Sequence, residues 1–188
     1  MNGINLKEYY INDMSILKVA KLGHPILLKK AIEIKDFSSD SLKNIIYNMS
    51  ETMIDYNGIG LAAPQVHLSK RIVIFRNPDQ EESEKINISP LINPIFSPLS
   101  EETEDDWEGC LSIPGMQGLV RRYKKIGYSG FDLDGNKINN QAEGLHARVV
   151  QHEIDHLDGI LYTDRLVDKK AFGFEKEIVE FWKNEKKI

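Results

Sequence analysis

The stretch VVQHEIDHLDG, residues 149–159, places two histidines four positions apart, with a glutamate directly after the first. Residues four apart on an α-helix lie one above the other on the same face, so His152 and His156 can present two imidazoles to one metal ion. Glu153 lies about 100° around the helix from His152, near enough to reach a water molecule at that metal. The stretch therefore predicts a metal-dependent hydrolase whose central element is this helix.

The residues around the two histidines indicate that the helix is buried. Apolar side chains are spread around much of its circumference: Leu145, Val149, Val150, Ile154, Leu157 and Leu161. Buried imidazoles and a buried carboxylate need partners, because an uncompensated buried charge is costly, and a metal ion supplies one. The alternative is that the histidines are ordinary polar residues of a partly buried core.

Two histidines are too few for a catalytic metal site, which usually takes three ligands from the protein. The longer protease pattern HExxHxxGxxH is not met, because Gly159 is in place but Tyr162 occupies the position of the last histidine. Other proteases with the short motif take a glutamate from a downstream helix. Three are available here: Glu175, Glu177 and Glu180. The sequence favours none of the three.

The single cysteine offers a different third ligand. Cys110 lies in WEGCLSIPG, residues 107–115, directly after an acidic stretch. A thiolate is a strong ligand for zinc or iron, and one thiolate with two imidazoles makes a three-ligand tetrahedral site. The alternative is a small buried hydrophobic residue, which describes most free cysteines.

A glycine-rich stretch, GIGLAAPQ at residues 58–65, is the third candidate for a functional segment. It is not a nucleotide-binding loop, because Ala63 stands where GxGxxG needs a glycine and the stretch follows a helix. Gly58 and Gly60 allow the backbone to approach a ligand closely, and Gln65 carries both a donor and an acceptor. The alternative is a helix cap followed by a turn.

The chain has 188 residues, 41% apolar and 28% charged, which predicts one domain spanning residues 1–188. The net charge of −5 argues against nucleic acid as the main ligand. One cysteine cannot form an intramolecular disulfide, the N-terminus has no secretory signal pattern, and no run reaches the ~18 apolar residues of a membrane helix. We therefore expect a cytoplasmic protein with neither a membrane nor a nucleic-acid partner.

Three helices are predicted. The first lies within residues 36–58, where apolar residues recur at helical spacing and Asn57-Gly58 follows as a stop signal. These apolar residues are Leu42, Ile45, Ile46, Met49 and Met53. The second helix spans residues 141–159 and carries the two histidines. The third is an amphipathic helix within residues 169–188. Its apolar residues are Ile178, Val179, Phe181 and Trp182.

Strands are predicted at residues 71–76, a short run rich in β-branched residues, and at residues 85–96, a second extended segment. Further strands lie within residues 119–138, with Asp134 and Gly135 as a hairpin turn.

The remaining segments are expected to be connections. Residues 77–86 form a charged loop in this interpretation, and the strongly acidic residues 97–109 form a solvated connection. Strands that cluster without βαβ alternation predict an α+β fold. We expect antiparallel or mixed sheets packed around the histidine helix, with one helix towards the N-terminus and one at the C-terminus.

Taken together, GIGLAAPQ, EGCLS and QHEIDHLDG, in this order, resemble the three signature motifs of peptide deformylases. The resemblance extends from GHPIL, residues 23–27, to LYTDRL, residues 161–166. It implies a hydrolase that removes the N-terminal formyl group from formyl-methionyl nascent polypeptides and releases formate.

The resemblance also implies a ligand set and catalytic residues. Cys110, His152 and His156 would bind one divalent metal ion, with water in the fourth position. Ferrous iron is expected natively, with zinc, nickel or cobalt as alternatives. Glu153 would act as the base. The formyl oxygen would accept hydrogen bonds from the Gln65 side chain and the Leu111 backbone N–H.

Substrate-binding residues follow from the same resemblance. Backbone groups around Ile59, Gly60 and Gly109 would hold the peptide in extended form. An apolar pocket formed by Ile59, Leu145 and Val149 would take the methionine side chain. The expected partners are N-formylmethionyl peptides and, for an enzyme of nascent chains, the ribosome through the C-terminal helix.

Four positions remain open in the sequence. Many relatives have arginine where this chain has Gln117. Arg148 is interpreted as a member of a surface salt bridge, with a place at the pocket mouth as the alternative. Asp155 and Asp158 are either exposed or orient the ligand histidines.

Two other functions compete with the deformylase. An HExxH endopeptidase with a downstream glutamate as third ligand would cut internal peptide bonds and keep its metal after Cys110 is replaced. A non-catalytic module would use the metal structurally or bind peptides. Glu153 argues against that module, because a structural site has no need of a base beside its ligands.

Overall fold

A computed structural model describes residues 15–76 and 88–183 of the chain. Its helices are α1 (Asp40–Asp55), α2 (Gly144–Leu157) and the short α3 (Glu175–Ile178). Five strands form one sheet, in the spatial order β1 (Gly60–Ala62), β2 (Ile72–Arg76), β3 (Ile88–Pro98), β6 (Lys125–Phe131) and β7 (Lys137–Glu143). The other three strands form a second sheet, in the order β4 (Thr103–Cys110), β5 (Ile113–Tyr123) and β8 (Phe172–Phe174). The neighbouring strands pair antiparallel, and the α+β prediction is confirmed.

The two long helices pack on opposite faces of the five-stranded sheet. Successive side chains of a strand point to opposite faces. On β2, Ile72 and Ile74 belong to the apolar cluster that contains α1, whereas Val73 and Phe75 belong to the cluster that contains α2. The sheet is therefore covered on both sides, and α2 lies in the interior of the molecule.

Helix α1 confirms the prediction made for residues 36–58. Ser39 caps its N-terminus, because its side-chain oxygen accepts a hydrogen bond from the Ser41 backbone N–H. The residues predicted to face the core are largely buried. Those with almost no exposed surface are Leu42, Ile46, Met49 and Met53. Periodicity alone thus located the buried face of this helix.

Helix α2 is buried as predicted but begins later. Its first residue is Gly144, because residues 141–143 still belong to β7 and pair with β6, with Gln141 opposite Gly127 and Glu143 opposite Lys125. The helix ends at Leu157, and Gly159 follows with a φ of +75°. The stop signal was therefore correctly identified, and the start was placed three residues early.

The prediction of a connection over residues 97–109 was wrong, although most of these residues are exposed as predicted. Residues Thr103–Cys110 form β4, which pairs with β5 along its length. Two of the four acidic residues of β4 pair with arginines of β5. Asp105 forms a bidentate pair with Arg121 at 2.7 Å, and Glu108 forms one with Arg122 at 2.9 Å. Cross-strand arginines thus compensate part of the acidic charge that had suggested a loop.

The C-terminal helix is shorter than predicted. Phe172–Phe174 form β8, and only Glu175–Ile178 are α-helical before a π-helical turn at Val179–Lys183. Ile178 is buried, but Val179 and Phe181 are exposed. Residues 184–188 of the predicted helix, and the predicted loop at 77–86 with the start of the next strand, lie outside the described residues.

The other strand predictions agree with the fold. Residues 71–76 correspond to β2, and the strands predicted within 119–138 appear as the end of β5, β6 and the start of β7. Gly135 has a φ of +79° in the turn between β6 and β7, as the Asp-Gly turn requires. Within the described part of the chain, no helix combines the length and apolar character needed to cross a membrane.

We expect Gly159→Ala to destabilise the protein more than Gly115→Ala. Both glycines are left-handed, with φ of +75° and +73°, and this conformation costs an L-residue about 1–2 kcal/mol. A Cβ at Gly159 would lie 2.7 Å from the carbonyl carbon of Leu28, whereas a Cβ at Gly115 would meet nothing within 4 Å. Urea unfolding should show at least ~1 kcal/mol more loss at Gly159. Equal losses would contradict the close contact with Leu28.

Candidate active site

Three ligand-type side chains converge where α2 faces the end of β4. The donor atoms of Cys110, His152 and His156 all lie within 4.8 Å of one another. The Cys110 Sγ and His156 Nε2 atoms are 3.2 Å apart. That spacing is close to the roughly 3.5 Å expected between two ligands of a tetrahedral zinc-type ion. The residues therefore fit a single metal ion bound by one sulfur and two nitrogens.

The electrostatics of this cluster favour a thiolate. Burial alone raises the pKa of the Cys110 thiol, but the nearby His156 and His152 rings outweigh burial and hold that pKa well below its usual value. For His152, burial lowers the pKa, and hydrogen bonds with Cys110 and Glu108 raise it well above the usual value. The cluster thus favours an anionic sulfur, the form in which cysteine binds a metal, and a metal ion would displace the extra proton from His152.

Glu108 orients the ligand His152. Its Oε2 atom lies 2.8 Å from His152 Nδ1, so a proton on Nδ1 is donated to the carboxylate and the Nε2 lone pair remains for a metal. The carboxylate is only 5% exposed. Hydrogen bonds from Arg122 and His152 outweigh burial and hold the pKa of Glu108 well below its usual value. It is therefore an ionised acceptor for His152.

Two arginines neutralise Glu108. Arg122 donates hydrogen bonds to both of its carboxylate oxygens, and Arg148 Nη1 donates to Oε1 at 2.8 Å. Arg148 also donates to the backbone carbonyls of Val120 and Glu104. It is buried, so its interpretation as a surface salt bridge was wrong. It contributes to the lining of the cleft as well.

The two aspartates of the histidine helix have other partners. Asp155 is buried and accepts hydrogen bonds from Arg122 and Arg165. Asp158 is exposed and pairs with Arg71 at 2.7 Å. Neither aspartate contacts the ligand histidines in these hydrogen bonds. The orienting acceptor of His152 is Glu108, which the sequence interpretation had assigned to a solvated segment.

Glu153 lies beside the ligand cluster with its carboxylate in the interior. It is 5% exposed, and its Oε2 atom is buried with no hydrogen-bond partner among the described residues. Burial raises its pKa to about 7, partly offset by the neighbouring histidines. A Cβ at Gly60 would lie 2.3 Å from Glu153 Oε1, so this position must be glycine for the carboxylate to occupy its place. A buried, unpaired carboxylate of this kind is suited to accept and release a proton.

The Gln65 side chain is held with its amino group towards the cysteine. Its Oε1 atom accepts from the Ala62 N–H at 2.8 Å, and its Nε2 lies 3.3 Å from both Cys110 Sγ and Ser112 Oγ. The bond to Ala62 fixes which end of the amide faces the cluster. Across the cleft, Lys21 Nζ donates to the carbonyl oxygen of Leu111 at 2.8 Å. The glutamine is therefore oriented as a hydrogen-bond donor.

A cleft of about 470 Å³ opens in front of these residues. It is flanked by residues of β1 and β4, each of which is the terminal strand of its sheet. Terminal strands leave backbone groups available to pair with an extended peptide. All five residues predicted to bind substrate contribute to the lining: Ile59, Gly60, Gly109, Leu145 and Val149. Gln65, Leu111, Cys110, His152 and Glu153 line it too.

The alternative third ligands are not in the cluster. Among the described residues, the group that could hold a metal comprises Cys110, His152 and His156, without any downstream glutamate. Glu175 lies at the mouth of the cleft, where it accepts a hydrogen bond from Gln117. Tyr162, at the position of the missing histidine, is buried and donates its hydroxyl to the Met116 carbonyl at 3.3 Å. The geometry favours the cysteine as third ligand over the endopeptidase arrangement.

Comparisons with known proteins agree with this geometry. Residues 16–172 match the family model for polypeptide deformylase. The peptide deformylase 1 of Nitrosomonas europaea is 47% identical over 162 residues, which cover 85% of this chain and 92% of the relative. A class I type b peptide deformylase from Acinetobacter baumannii, bound to Met-Ala-Ser, superimposes with a TM-score of 0.74 at 36% identity, over 82% of this chain and 100% of the other. A peptide deformylase from Synechococcus elongatus in complex with actinonin gives a TM-score of 0.77 at 36% identity, over 86% and 85% of the chains.

The matched region contains all three motifs and the whole ligand cluster. Family, fold and site geometry point to the same chemistry. The chain belongs to the polypeptide deformylase family, metal-dependent enzymes that remove the N-formyl group from nascent peptides.

Proposed function

We propose that this chain hydrolyses the formyl amide of N-formylmethionyl polypeptides at the site formed by Cys110, His152, His156 and Glu153. The observation that carries the proposal is the convergence of three metal-ligand atoms within 4.8 Å, beside a buried unpaired carboxylate, in a cleft between two terminal strands. That arrangement suits the cleavage of a small amide at the end of an extended chain.

Cys110, His152 and His156 are the proposed ligands of one divalent ion, with ferrous iron as the native metal and zinc, nickel or cobalt as substitutes. A bound ion of this kind acts as a Lewis acid and makes water a stronger nucleophile near neutral pH. Glu108 would orient the His152 ring, and the Cys110 thiolate would offset part of the positive charge of the ion.

Glu153 is the proposed base. Its carboxylate takes a proton from the attacking water and passes it to the amine nitrogen as the carbon–nitrogen bond breaks, so that formate and a free amine leave. The Gln65 amino group and the Leu111 N–H are proposed to donate hydrogen bonds to the carbonyl oxygen, where negative charge develops. Because Ala62 orients the Gln65 amide, this donor is in place before the substrate arrives.

The substrate is proposed to lie extended between β1 and β4. Ile59, Gly60 and Gly109 would hold its backbone, and the side chains of Ile59, Leu145 and Val149 would contact the methionine. Ile59 and Leu145 are about half exposed, which suits a pocket wall that a substrate side chain covers. The Acinetobacter baumannii relative binds Met-Ala-Ser, a peptide of the expected chemistry.

Three broader predictions accompany this function. The chain is proposed to act as a single domain over residues 1–188 and to work in the cytoplasm, where formylated nascent chains arise. Contact with the ribosome through residues 172–188 stays a prediction. Normal ribosome co-sedimentation after deletion of these residues would contradict it.

We expect Glu153→Gln to lower formate release from formyl-Met-Ala by ~10²–10⁴-fold, because the amide cannot accept the proton. The substitution keeps the size of the side chain that packs against Gly60. Metal content should be unchanged. Glu177→Gln, an exposed residue of α3, serves as the control with normal turnover. Near-normal activity of Glu153→Gln would remove this residue from the mechanism.

We expect Cys110→Ser to abolish the thiolate charge-transfer absorption of the cobalt-substituted protein, because the only sulfur ligand is lost. Glu175→Gln should leave that absorption unchanged. Absence of the band from the unsubstituted protein would remove Cys110 from the ligand set. Release of the metal by Glu175→Gln, with retention by Cys110→Ser, would support the endopeptidase ligand set instead.

We expect Glu108→Gln to weaken metal affinity by ~10–100-fold, since the acceptor that orients His152 loses its charge. The exposed Glu104 of the same strand offers the control Glu104→Gln. Competition with a chromophoric chelator measures both affinities. Equal affinities in the two variants would show that Glu108 does not act through His152.

A further inference from the structure

Strand β7 forms an open edge of the five-stranded sheet. It is the terminal strand, and within the described part of the chain no other strand pairs with its outer side. Its register with β6 runs without a shift from Lys137 to Glu143. Such an edge is a template for a further strand unless a proline or a bulge interrupts it, and β7 contains neither.

The hydrogen bonds at the two ends of β7 show which of its backbone groups point outward. The Asp132 N–H donates to the Asn136 carbonyl, and the Gly144 N–H donates to the Lys124 carbonyl, at 3.0 Å each. Hydrogen-bonded and non-hydrogen-bonded residues alternate along an antiparallel pair. The even-numbered residues of β7 therefore bond to β6, and the odd-numbered residues direct their N–H and C=O groups outward. The odd-numbered residues are all exposed: Lys137, Asn139, Gln141 and Glu143.

The sequence of β7 is self-complementary in one antiparallel register. With a two-fold axis at Asn140, Lys137 of each copy lies opposite Glu143 of the other, so opposite charges meet at both ends of the pair. Asn139 lies opposite Gln141, and these amides can both donate and accept hydrogen bonds. All of these residues point their backbone groups outward, as the register requires. Moving the axis to Asn139 or Gln141 would separate Lys137 from Glu143.

The two faces of the sheet also match in this register. Ile138 lies opposite Ala142, and both belong to the apolar cluster on the α2 side of the sheet. Glu143 lies on the other face, where its Oε2 atom is 3.4 Å from Lys125 Nζ. The Glu143 side chain is still 71% exposed, so a second ammonium group can reach it. Apolar residues would thus meet apolar residues, and charges would meet opposite charges.

We propose that β7 pairs antiparallel with β7 of a second copy of this chain, about a two-fold axis at Asn140. The two five-stranded sheets then form one continuous sheet. The contact is isologous and closes after two copies. Strand β1, which borders the cleft, is the opposite edge of the sheet, so both clefts stay open to substrate. Because a single pair of strands is a small contact, the dimer is reversible and forms at high protein concentration.

Sedimentation velocity over a range of protein concentrations tests the dimer. The unsubstituted protein should shift from the monomer mass towards twice that mass as its concentration rises. Lys137→Glu and Glu143→Lys should each weaken association by about tenfold or more, because each places like charges opposite each other at both ends. An equimolar mixture of the two variants should associate again, since one copy then carries two carboxylates and the other two ammonium groups.

A backbone variant tests the strand pairing itself. Asn139→Pro removes an outward N–H that β6 does not use, so it should abolish association and leave the sheet of each copy intact. Glu177→Lys makes the same charge change as Glu143→Lys on α3 and should associate like the unsubstituted protein. Formate release and far-UV circular dichroism check that each variant is folded.

Several results would overturn the β7 dimer. One is an unsubstituted protein that stays monomeric at the highest concentration in low salt, where exposed ion pairs are strongest. Another is a dimer that persists unchanged in Lys137→Glu, Glu143→Lys or Asn139→Pro, since association would then use a different surface. A mixture of the two charge variants that remains monomeric would refute the proposed register.

Discussion

The site depends on the buried carboxylate of Glu108. One side chain joins Arg122 of β5, Arg148 of α2 and His152 of the ligand cluster, all with contacts of 2.8–2.9 Å. An ionised carboxylate at 5% exposure is stable only when its desolvation is offset by close, well-directed partners. The arrangement therefore ties the small sheet to the central helix and holds a ligand histidine at the same time.

This constraint explains the position of the ligands. Cys110 lies at the end of β4, two residues beyond Glu108, while His152 and His156 lie on α2. The sulfur and the imidazoles meet because the arginines and Glu108 lock α2 against the small sheet. The other wall of the cleft comes from β1, whose Gly60 leaves room for the Glu153 carboxylate. Both sheets thus contribute residues to one site, and α2 lies between these residues.

Patterns within one element were good predictors of structure. Helix α1 and its buried residues followed from 3.6-residue periodicity, and the histidine spacing placed two ligands on one face of α2. The acidic strand β4 was missed because its composition is that of a solvated loop. Two of its charges, Asp105 and Glu108, pair with Arg121 and Arg122, which lie more than a dozen residues further along the chain. Arg148 was misjudged for the same reason, since its partner Glu108 is 40 residues away.

The sequence by itself determined the local chemistry: two imidazoles and a carboxylate on one helix, a thiol directly after a glycine, and a glutamine after a glycine-rich turn. These depend on residue type and short spacing, and the motifs they form were sufficient to indicate the family. The tertiary structure alone decided which acidic residue orients His152 and that the C-terminal segment borders the cleft. Those relations arise from strand pairing and ion pairing across long sequence separations, where no local pattern identifies the partner.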